Sequence, residues 1–466
     1  METLKNPNII FIVIDAGRAD YFSCYAGSGV TTPNIDRIAK GGALFENVIS
    51  TAPWTIPSHG TMFTGLYPFQ HQATWETLCL KAGIPTIFDI FTQRGYAALA
   101  VSANSLIVSP HSMFGKKTRI LGNAVNNDPD ISSFAKDFDY RNTDSQSIAG
   151  RFIKYLDEHP QNVPQIMYLN FYDLHAKYKA REPYYSNFVN AAQDKTLKAS
   201  GDFYSLHFKE MNDELEVTVE MISALRASYT ARLAMIDSDI GRVLEKLKEH
   251  KLLDNAIVVI TADHGDVLGD HTRPSFHHQF SIYNSLLKIP LIFSCQGING
   301  PKRINVPLIQ NTDILPTILE LCGIKMPEAL SNSPGVSLSS YIFNDRRDLP
   351  RRYALSMYES PLRFILRNKK KVNAAYLRNL SAIQDAEYKL ILSDKGQVEL
   401  YHLSVDALEK ENIASGLPGK VQELKEAFFE IVHRYTQPEG GFSDFCYNQA
   451  DEQKMIQRLK ALGYIE

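Results

Sequence analysis

The chain has 466 residues, and its 49 Lys and Arg against 52 Asp and Glu leave a formal net charge of −3. A balance so close to zero excludes the strongly basic surface of a typical nucleic-acid-binding protein, and it gives no sign of a polybasic membrane patch. Hydrophobic residues make up 44% of the chain and charged residues 22%. These values are typical of a globular protein with a sizeable core, and they exclude disordered, collagen-like and coiled-coil chains.

The five cysteines lie far apart and include no Cys-x-x-Cys pair. Their spacing predicts neither a disulfide framework nor a cysteine zinc site, and it favours a reducing compartment. The first apolar run, residues 8–14, is too short for a transmembrane helix and lacks the features of a signal peptide. We therefore expect a cytoplasmic protein without a membrane span.

Apolar, β-branched runs predict a series of buried strands along the chain. They lie at 8–14, 97–102, 166–171, 257–261 and 289–293. Helical periodicity between them is clearest at 34–40 and 220–250. Strands that alternate with helices predict an α/β protein with a large, mostly parallel sheet sandwiched by helices. Ligands bind at the carboxyl ends of the strands in such sheets, so we expect the functional residues there.

The residue composition of the chain changes after the last of these strands. Residues 328–352 are rich in Ser, Pro, Asp and Arg, which is typical of a linker, whereas the polar stretch 180–216 is interpreted as an insertion or lid. Strand-like runs within 354–403 and a helix at 418–434 predict a smaller α+β domain. We therefore predict a catalytic domain at 1–345, a C-terminal α+β domain at 354–434, and a tail at 435–466 that packs back on the core.

Acidic and imidazole side chains follow two of the predicted strands directly. Asp15 follows the strand 8–14, and Asp263 and His264 follow the strand 257–261. Two carboxylates and an imidazole that meet at one edge of a sheet can form a divalent-metal site. An Asp after a strand is also common as a helix cap or turn residue, so the residues alone leave both interpretations open.

A hydroxyl-rich segment at residues 54–65 predicts a strand or loop that runs into a helix start. A hydroxyl at such a start faces free backbone N–H groups, which stabilise an anion. Thr55 and Ser58 are the candidates. Each is either an ordinary N-cap or a reactive group, and the local pattern does not decide between the two.

Several motifs along the chain resemble those of one known family. They are NIIFIVID at 8–15, TTPNIDRIA at 31–39, TIPSH followed by TG within 55–65, ITADHGD at 260–266, DILPT at 313–317 and ELYHL at 399–403. In order and spacing they are similar to the motifs of the sulfatase family of the alkaline-phosphatase superfamily. The resemblance runs nearly end to end, and it implies a metal-dependent ester hydrolase with that family's α/β fold.

The resemblance also implies a centre with one divalent metal ion. Carried over position by position, it places metal ligands at Asp15, Asp263 and His264, and it places Thr55 both on the metal and at the nucleophile position. Ala16 stands where many relatives have another metal aspartate. A nitrogen ligand with fewer carboxylates favours Zn²⁺ or Mn²⁺, with Ca²⁺ and Mg²⁺ as alternatives.

Four further residues around this centre are implied by the same resemblance. His175 and His278 correspond to catalytic residues that contact the substrate anion or protonate the leaving group. His59, in place of a family arginine, and Lys288 correspond to substrate-binding residues. The expected partner is a small or saccharide-like anionic ester, with no nucleic acid and no prediction of oligomeric state.

Thr55 departs from the family pattern, in which a Cys or Ser is converted to formylglycine. Threonine cannot give that aldehyde, so an ester formed on Thr55 has to be released by attack at sulfur or phosphorus. A phospho-threonine is the more ordinary intermediate of the two. We therefore expect phosphodiester or phosphonate ester hydrolysis, or phosphoryl transfer. A sulfatase that uses unmodified Thr55 is the alternative, and a non-catalytic anion-binding relative is the second alternative.

Overall fold

A nine-stranded sheet forms the centre of the computed structural model. The structure describes residues 3–25, 32–75, 77–104, 106–107, 113–114, 118–122, 144–175, 179–201, 203–271, 274–278, 280–360 and 372–436. The strands are β1 Asn8–Ile14, β2 Ala43–Ile49, β3 Ala97–Ser102, β4 Thr118–Gly122, β5 Gln165–Phe171, β6 Ala256–Thr261, β7 Val267–Leu268, β8 Phe276–His277, β9 Lys288–Cys295, β10 Lys302–Ile304, β11 Ile309–Gln310, β12 Ala354–Tyr358, β13 Leu380–Gln384, β14 Tyr388–Ser393 and β15 Val398–His402.

Helices flank this sheet and connect its strands. They are α1 Pro33–Lys40, α2 Thr55–Thr64, α3 Pro68–His71, α4 Ile87–Thr92, α5 Ser145–Glu158, α6 Tyr184–Phe188, α7 Ala191–Ser200, α8 Phe203–Met211, α9 Val219–Glu249, α10 Asn284–Leu287, α11 Ile314–Leu321, α12 Ser339–Phe343 and α13 Pro418–Tyr435. None of the described helices is long and apolar enough to cross a membrane.

The large sheet has the strand order β10-β2-β9-β6-β1-β5-β3-β4, and β11 pairs with β2. All of its described pairings are parallel except those that β9 makes with β2 and β6. The predicted mostly parallel sheet is therefore confirmed. Side chains of β1 alternate between two apolar clusters, one on each face, which is the pattern of a strand buried on both sides.

The five predicted strands correspond to β1, β3, β5, β6 and β9, with ends that agree within two residues. The predicted helices at 34–40 and 220–250 correspond to α1 and α9. Between residues 180 and 216 the chain forms α6, α7 and α8. Residues 328–352 are more ordered than the predicted linker, because Leu330, Leu338 and Tyr341 are buried in the main core.

A second, antiparallel sheet has the order β12-β13-β14-β15, and α13 packs against it. This confirms the smaller α+β unit that the sequence predicts in the C-terminal part. The boundaries at 345 and 354 stay a prediction. The predicted tail at 435–466 lies, apart from its first two residues, outside the described residues.

Candidate active site

Asp15 and Asp263 lie at the edge of the sheet where the strand topology predicts functional residues. β1 and β6 are neighbouring parallel strands, so the residues that follow them share one edge. Asp15, Asp263 and His264 are fully buried there, and their ligand atoms lie within 4.8 Å of one another. His264 Nε2 is 3.6 Å from Asp15 Oδ1 and 3.5 Å from Asp263 Oδ2. The structure therefore brings three of the four predicted metal ligands together, and Thr55 as the fourth stays a prediction.

The three ligand atoms at this point, Asp15 Oδ1, Asp263 Oδ2 and His264 Nε2, have no hydrogen-bond partner within the described structure. The Thr55 hydroxyl, at the start of α2, is also buried without a partner there. The second oxygens of the two carboxylates are satisfied, since Asn104 Nδ2 donates to Asp15 Oδ2 at 2.9 Å and the Ala16 N–H donates to Asp263 Oδ1 at 3.1 Å. Buried lone pairs without donors are costly. Two oxygens and one nitrogen of this kind fit a divalent cation.

His264 is held in the form that suits a ligand. Its Nδ1 lies 2.7 Å from the Gly265 carbonyl, so Nδ1 carries the proton and Nε2 presents its lone pair to the two acids. Burial lowers the pKa of His264 to about 4, which keeps the ring neutral near pH 7. Burial raises the pKa of Asp263 to about 7, and burial together with Asp263 raises the pKa of Asp15 well above its ordinary value.

Thr55 is the first residue of α2 and is 1% exposed. Its hydroxyl makes no capping bond, and Trp54 holds the N-cap position, so the ordinary N-cap interpretation does not apply to Thr55. The Ser58 hydroxyl donates to the Asp263 carbonyl at 2.6 Å, and Asn311 Nδ2 donates to Ser58 Oγ at 3.0 Å. These bonds fix the first turn of α2, with its free N–H groups, beside the end of β6.

His59 takes part in the internal support of this turn. Its Nδ1 lies 2.8 Å from the Thr55 carbonyl, and its Nε2 lies 2.6 Å from the Tyr168 hydroxyl. Burial lowers the pKa of His59 to about 3, so the ring is neutral. With Nδ1 as donor and Nε2 as acceptor, neither nitrogen is left for a substrate. We therefore assign His59 to positioning Thr55 rather than to the predicted substrate contact.

His175 and His278 lie beside the three metal-ligand candidates. His175 Nδ1 is 3.1 Å from the Tyr172 carbonyl, and its Nε2 is 3.6 Å from Asp15 Oδ1. The His278 ring centroid is 5.1 Å from that of His175 and 4.5 Å from that of His264. Both rings are thus in the cluster that the sequence predicts. Lys288, in contrast, has an exposed side chain at the start of β9 and does not join the buried cluster.

Three residues that support the site were not singled out from the sequence. Asn104 follows β3 by two residues, so the rule of strand ends could have found it. Tyr168 lies inside β5, and Arg232 lies inside α9, where its guanidinium donates to the Leu174 carbonyl at 2.6 Å. Neither position carries a local signal, because both side chains act through contacts distant in sequence.

The family model described as Sulfatase matches residues 7–324. The chain belongs to the sulfatase family. A second model, the C-terminal part of N-sulphoglucosamine sulphohydrolase, matches residues 274–432. The chain is therefore a hydrolase that acts on ester bonds, as the sequence predicts.

Two named relatives of this chain are similar to it over most of its length. Arylsulfatase K of Xenopus laevis is 25% identical, over 92% of this chain and 83% of that protein. An N-acetylglucosamine-6-O-sulfatase of Bacteroides thetaiotaomicron is 25% identical, over 93% and 88%. The crystal structure of a phosphonate monoester hydrolase of Agrobacterium radiobacter superposes with a TM-score of 0.71, covering 92% of this chain and 96% of that chain at 19% identity. That likeness confirms the predicted fold alone.

Proposed function

We propose that this member of the sulfatase family hydrolyses monoanionic sulfuric esters of saccharide-like alcohols, with unmodified Thr55 as the nucleophile. The observation that carries the proposal is the Thr55 hydroxyl itself. It is buried and unpartnered at the N-terminus of α2, and Ser58 in the same turn donates to the Asp263 carbonyl at the strand end that presents the unpartnered atoms of Asp15, Asp263 and His264. Because this hydroxyl has no hydrogen-bond partner among the described residues, it is available to a cation or a substrate.

The charge of the site supports a substrate with a single negative charge. Within the described residues, the buried cluster contains no lysine or arginine, because His59 stands at the family's arginine position and Lys288 is exposed. Burial keeps the pKa of His264 near 4 and that of His278 near 3, so both rings are neutral. A single divalent cation with two carboxylates leaves little charge to balance a dianion. A sulfate monoester fits this balance better than a phosphate monoester.

The named relatives support sulfate and a saccharide-like alcohol. One is an arylsulfatase and another is an N-acetylglucosamine-6-O-sulfatase, each similar over more than nine-tenths of this chain. Lys288, at the exposed start of β9, stays a predicted substrate contact.

The proposed reaction uses two displacements at sulfur. Thr55 Oγ attacks the sulfur atom, the bond from sulfur to the substrate alcohol breaks, and the Thr55 proton passes through an imidazole to the departing alcohol. We assign that transfer to His175 and substrate contact to His278, whose rings adjoin each other. Water then attacks the sulfur of the Thr55 ester and releases sulfate and the free Thr55 hydroxyl. The N–H groups of the first turn of α2 stabilise the charge that develops.

The metal requirement forms part of the proposal. Asp15, Thr55, Asp263 and His264 would hold one divalent cation, and a bound cation supplies Lewis-acid stabilisation of the ester oxygens. Oxygen atoms outnumber nitrogen three to one in this donor set. Mn²⁺ or Zn²⁺ remains the predicted ion, with Ca²⁺ and Mg²⁺ as alternatives.

A second candidate function is hydrolysis of a phosphodiester or a phosphonate monoester. The observation that favours it is the identity of residue 55, because a threonine ester of phosphorus is released by ordinary hydrolysis, whereas family sulfatases rely on formylglycine. These substrates also carry one negative charge, so the electrostatic argument does not separate them from sulfate monoesters.

A parallel assay tests both candidates. The wild-type chain is loaded in turn with Mn²⁺, Zn²⁺, Ca²⁺ or Mg²⁺ and given the 4-nitrophenyl esters of sulfate, phenylphosphonate and phosphate, and bis(4-nitrophenyl) phosphate. We expect the sulfate monoester to be turned over fastest and the phosphate monoester slowest. A preference for the diester or the phosphonate supports the second candidate. Failure of all four esters with all four metals leaves the anion-binding alternative.

Substitution of the nucleophile gives the second arm of this test. Thr55→Ala should lower kcat by about 10³-fold or more with an unchanged melting temperature, since a single methyl and hydroxyl are lost from the helix start. Thr55→Ser is the matched control, because it keeps the hydroxyl and should retain measurable turnover. Unchanged activity of Thr55→Ala rules out the assigned nucleophile.

A further inference from the structure

A small cavity lies between the segment that follows His278 and the antiparallel C-terminal sheet. Residues 280–283 form one wall, and Arg378 and Glu399 are part of the other. Its volume is about 10 Å³. A cavity of this volume has room for one group the size of a water molecule, so it excludes a sulfate or a complete sugar ring.

Two polar atoms that line this cavity are buried and have no hydrogen-bond partner in the described structure. They are Ser281 Oγ and Arg378 Nε. Ser281 is only 3% exposed. The other nitrogens of Arg378 face side chains, since Nη1 donates to Gln397 Oε1 at 2.5 Å and Nη2 is 3.8 Å from Glu399 Oε1. A buried donor without an acceptor costs free energy, so both atoms favour a group that brings an acceptor oxygen.

A carboxylate beside these donors can accept a hydrogen bond in return. Glu399 Oε2 accepts from the hydroxyls of Tyr283 at 3.1 Å and Tyr401 at 2.7 Å, whereas Oε1 accepts from no described residue. The side chains of Arg378 and Glu399 are 16% and 18% exposed, so solvent reaches this wall of the cavity. Their opposite charges balance, which favours a neutral group with both a donor and an acceptor over an ion.

Aromatic rings line the same cavity. The ring centroids of Phe280 and Tyr376 are 6.4 Å apart, with an interplanar angle of 60°. Phe280 is held by the buried His207 ring, which stacks on it at 5.4 Å and 17°, whereas Tyr376 is half-buried. Apolar and aromatic surface with a few placed polar groups is the usual composition of a site for a small organic ligand.

The cavity is close to the proposed reaction centre but has residues of its own. Ser281 follows His278 by three positions, so their Cα atoms are at most about 11 Å apart. The residues that line the cavity include neither the metal-ligand candidates nor Thr55, His175 or His278. The alcohol part of a bound ester, rather than its sulfate, is therefore the part that can reach it.

From this geometry we propose that Ser281, Arg378 and Glu399 bind one hydroxyl group of the saccharide-like alcohol, away from its ester. This assignment rests on the proposed function, because it names a contact of the alcohol that leaves. Arg378 Nε donates to the hydroxyl oxygen, the hydroxyl donates to Glu399 Oε1, and Ser281 Oγ makes a further hydrogen bond. A hydroxyl has the size and the hydrogen-bonding capacity of the water molecule that such a cavity holds.

The cavity should consequently select the alcohol. An alcohol with no second hydroxyl leaves the donors of Ser281 and Arg378 to a water molecule and gains nothing from them, whereas a saccharide replaces that water. Discrimination of this kind is larger for a buried polar site than for an apolar one.

Sulfate release from two kinds of ester tests the site. One is 4-nitrophenyl sulfate, whose alcohol has no second hydroxyl, and the other is a panel of sulfated mono- and disaccharides. We expect Ser281→Ala and Arg378→Met to lower kcat/KM for the best saccharide by about tenfold or more and to leave the nitrophenyl ester within about twofold. Ser404→Ala, which removes an exposed hydroxyl bonded to His402 after the same sheet, is the matched control and should change neither.

Two results of this assay overturn the proposal. One is an equal loss for both kinds of ester, or no loss for either, in variants whose melting temperatures show that they are folded. The other is a wild type that hydrolyses the nitrophenyl ester and no saccharide in the panel. Sulfate release from neither kind of ester refutes the proposed function instead, and binding then decides the question of the cavity.

Calorimetry measures that binding without turnover. The Mn²⁺-loaded Thr55→Ala chain and the Thr55→Ala/Ser281→Ala chain are titrated with the same sulfated saccharides. We expect the second chain to bind the best saccharide about tenfold more weakly. Equal affinities, or no binding of any saccharide to Thr55→Ala, show that the cavity holds a water molecule only.

Discussion

Burial makes the Asp263 carboxyl a much weaker acid than an exposed aspartate. Its pKa rises from 3.8 to about 7, and Asp266 behaves in the same way for the same reason. The pKa of Asp15 is raised well above the ordinary value by burial and by the neighbouring Asp263. These acids are therefore mostly protonated in the folded, metal-free protein at slightly acidic pH, whereas they are ionised in the unfolded chain.

The raised carboxyl pKa values should lower the stability of the metal-free chain as pH rises. Between about pH 4 and about pH 7 these carboxyls hold more protons in the folded state than in the unfolded state, so their contribution favours unfolding as the pH rises, up to the folded-state pKa. The buried histidines act in the opposite direction, because the lowered pKa values of His59, His264 and His278 leave them with fewer protons in the folded state. We therefore measure the contribution of Asp263 as the difference between Asp263→Asn and the wild type, by calorimetry in EDTA at about pH 5 and about pH 8. A saturating divalent cation should reduce this dependence, because it stabilises the ionised carboxylates.

Asp263→Asn supplies the control for that pH dependence. It removes one of the raised carboxyls, so between about pH 5 and about pH 8 the melting temperature of the metal-free variant should fall less, or rise more, than that of the wild type. An equal slope in both chains would contradict the raised pKa of Asp263.

Residues at strand ends were easier to predict than residues that act through packing. Asp15, Asp263 and His264 follow apolar runs that are recognisable in the sequence, and parallel topology brings such ends together. His59 also lies in a recognised motif, but its role depends on Tyr168, which is 109 positions away and donates from the middle of a strand. A single sequence contains no signal for that pair.

At the scale of elements, β2 is a strand that the sequence does not predict, and its polar residues explain why. Its sequence ALFENVI interrupts the apolar run with Glu46 and Asn47. The register of β2 against β9 shifts between Phe45 and Val48, so the two polar residues lie at a bulge. A bulge breaks the period of two on which strand prediction relies, whereas uninterrupted strands such as β1 keep their apolar pattern.

Helix α2 presents Thr55, and its position depends on close packing at Gly60. A Cβ at Gly60 would lie 2.7 Å from Cε1 of the buried His71 ring. His71 Nδ1 accepts from the Ala73 N–H at 3.1 Å, so the ring is not free to move away. We expect Gly60→Ala to destabilise the protein by about 1–3 kcal/mol and to lower kcat, as judged by urea unfolding and the ester assay.

Gly150→Ala is the matched control for that substitution. Gly150 also lies inside a helix, α5, but nothing lies within 4 Å of its added Cβ. The substitution should stabilise the protein by about 0.5–1 kcal/mol, because alanine is the better helix former. A Gly60→Ala chain as stable as the wild type would mean that α2 tolerates displacement.

A buried ion pair joins the C-terminal sheet to the segment after His278. Lys389 on β14 contacts Glu409 at 2.6 Å, donates to the Ile282 carbonyl at 2.8 Å and donates to Asn284 Oδ1 at 3.0 Å. Both charged side chains are almost fully buried. The pair therefore holds the polypeptide between His278 and β9 against the smaller sheet.

Removing only the lysine from this pair should destabilise the protein much more than removing both charges. Lys389→Met leaves Glu409 buried and unpaired, which should cost about 3–5 kcal/mol in urea unfolding and lower kcat through His278. Adding Glu409→Gln to Lys389→Met should recover most of that stability, because no charge is then left unpaired. Equal losses in the single and double variants would assign the effect to the lost packing of Lys389.

At the scale of the whole molecule, the two sheets share one apolar core. The main cluster includes side chains of β1, α2 and β9, and it also includes Tyr358, Leu380 and Ile391 of the smaller sheet. Composition and periodicity predicted the two sheets separately, but they could not predict this shared core, because it arises from contacts between distant segments. The two sheets therefore pack directly against each other, and the division at residues 345 and 354 stays a prediction.

A chain that ends at residue 345 should for this reason fail to fold to the native state. It lacks β12, whose Met357 N–H donates to the Thr51 carbonyl at 2.8 Å and whose Ser356 hydroxyl donates to the Ser50 carbonyl at 2.7 Å, just before α2. It also exposes the apolar surface that the smaller sheet covers. We expect the fragment to bind a hydrophobic dye, to lack near-ultraviolet circular dichroism and to hydrolyse no ester, while the full chain unfolds in one calorimetric transition. Two separate transitions in the full chain, or a fragment with the full melting temperature, would show that the large sheet is stable without its smaller neighbour.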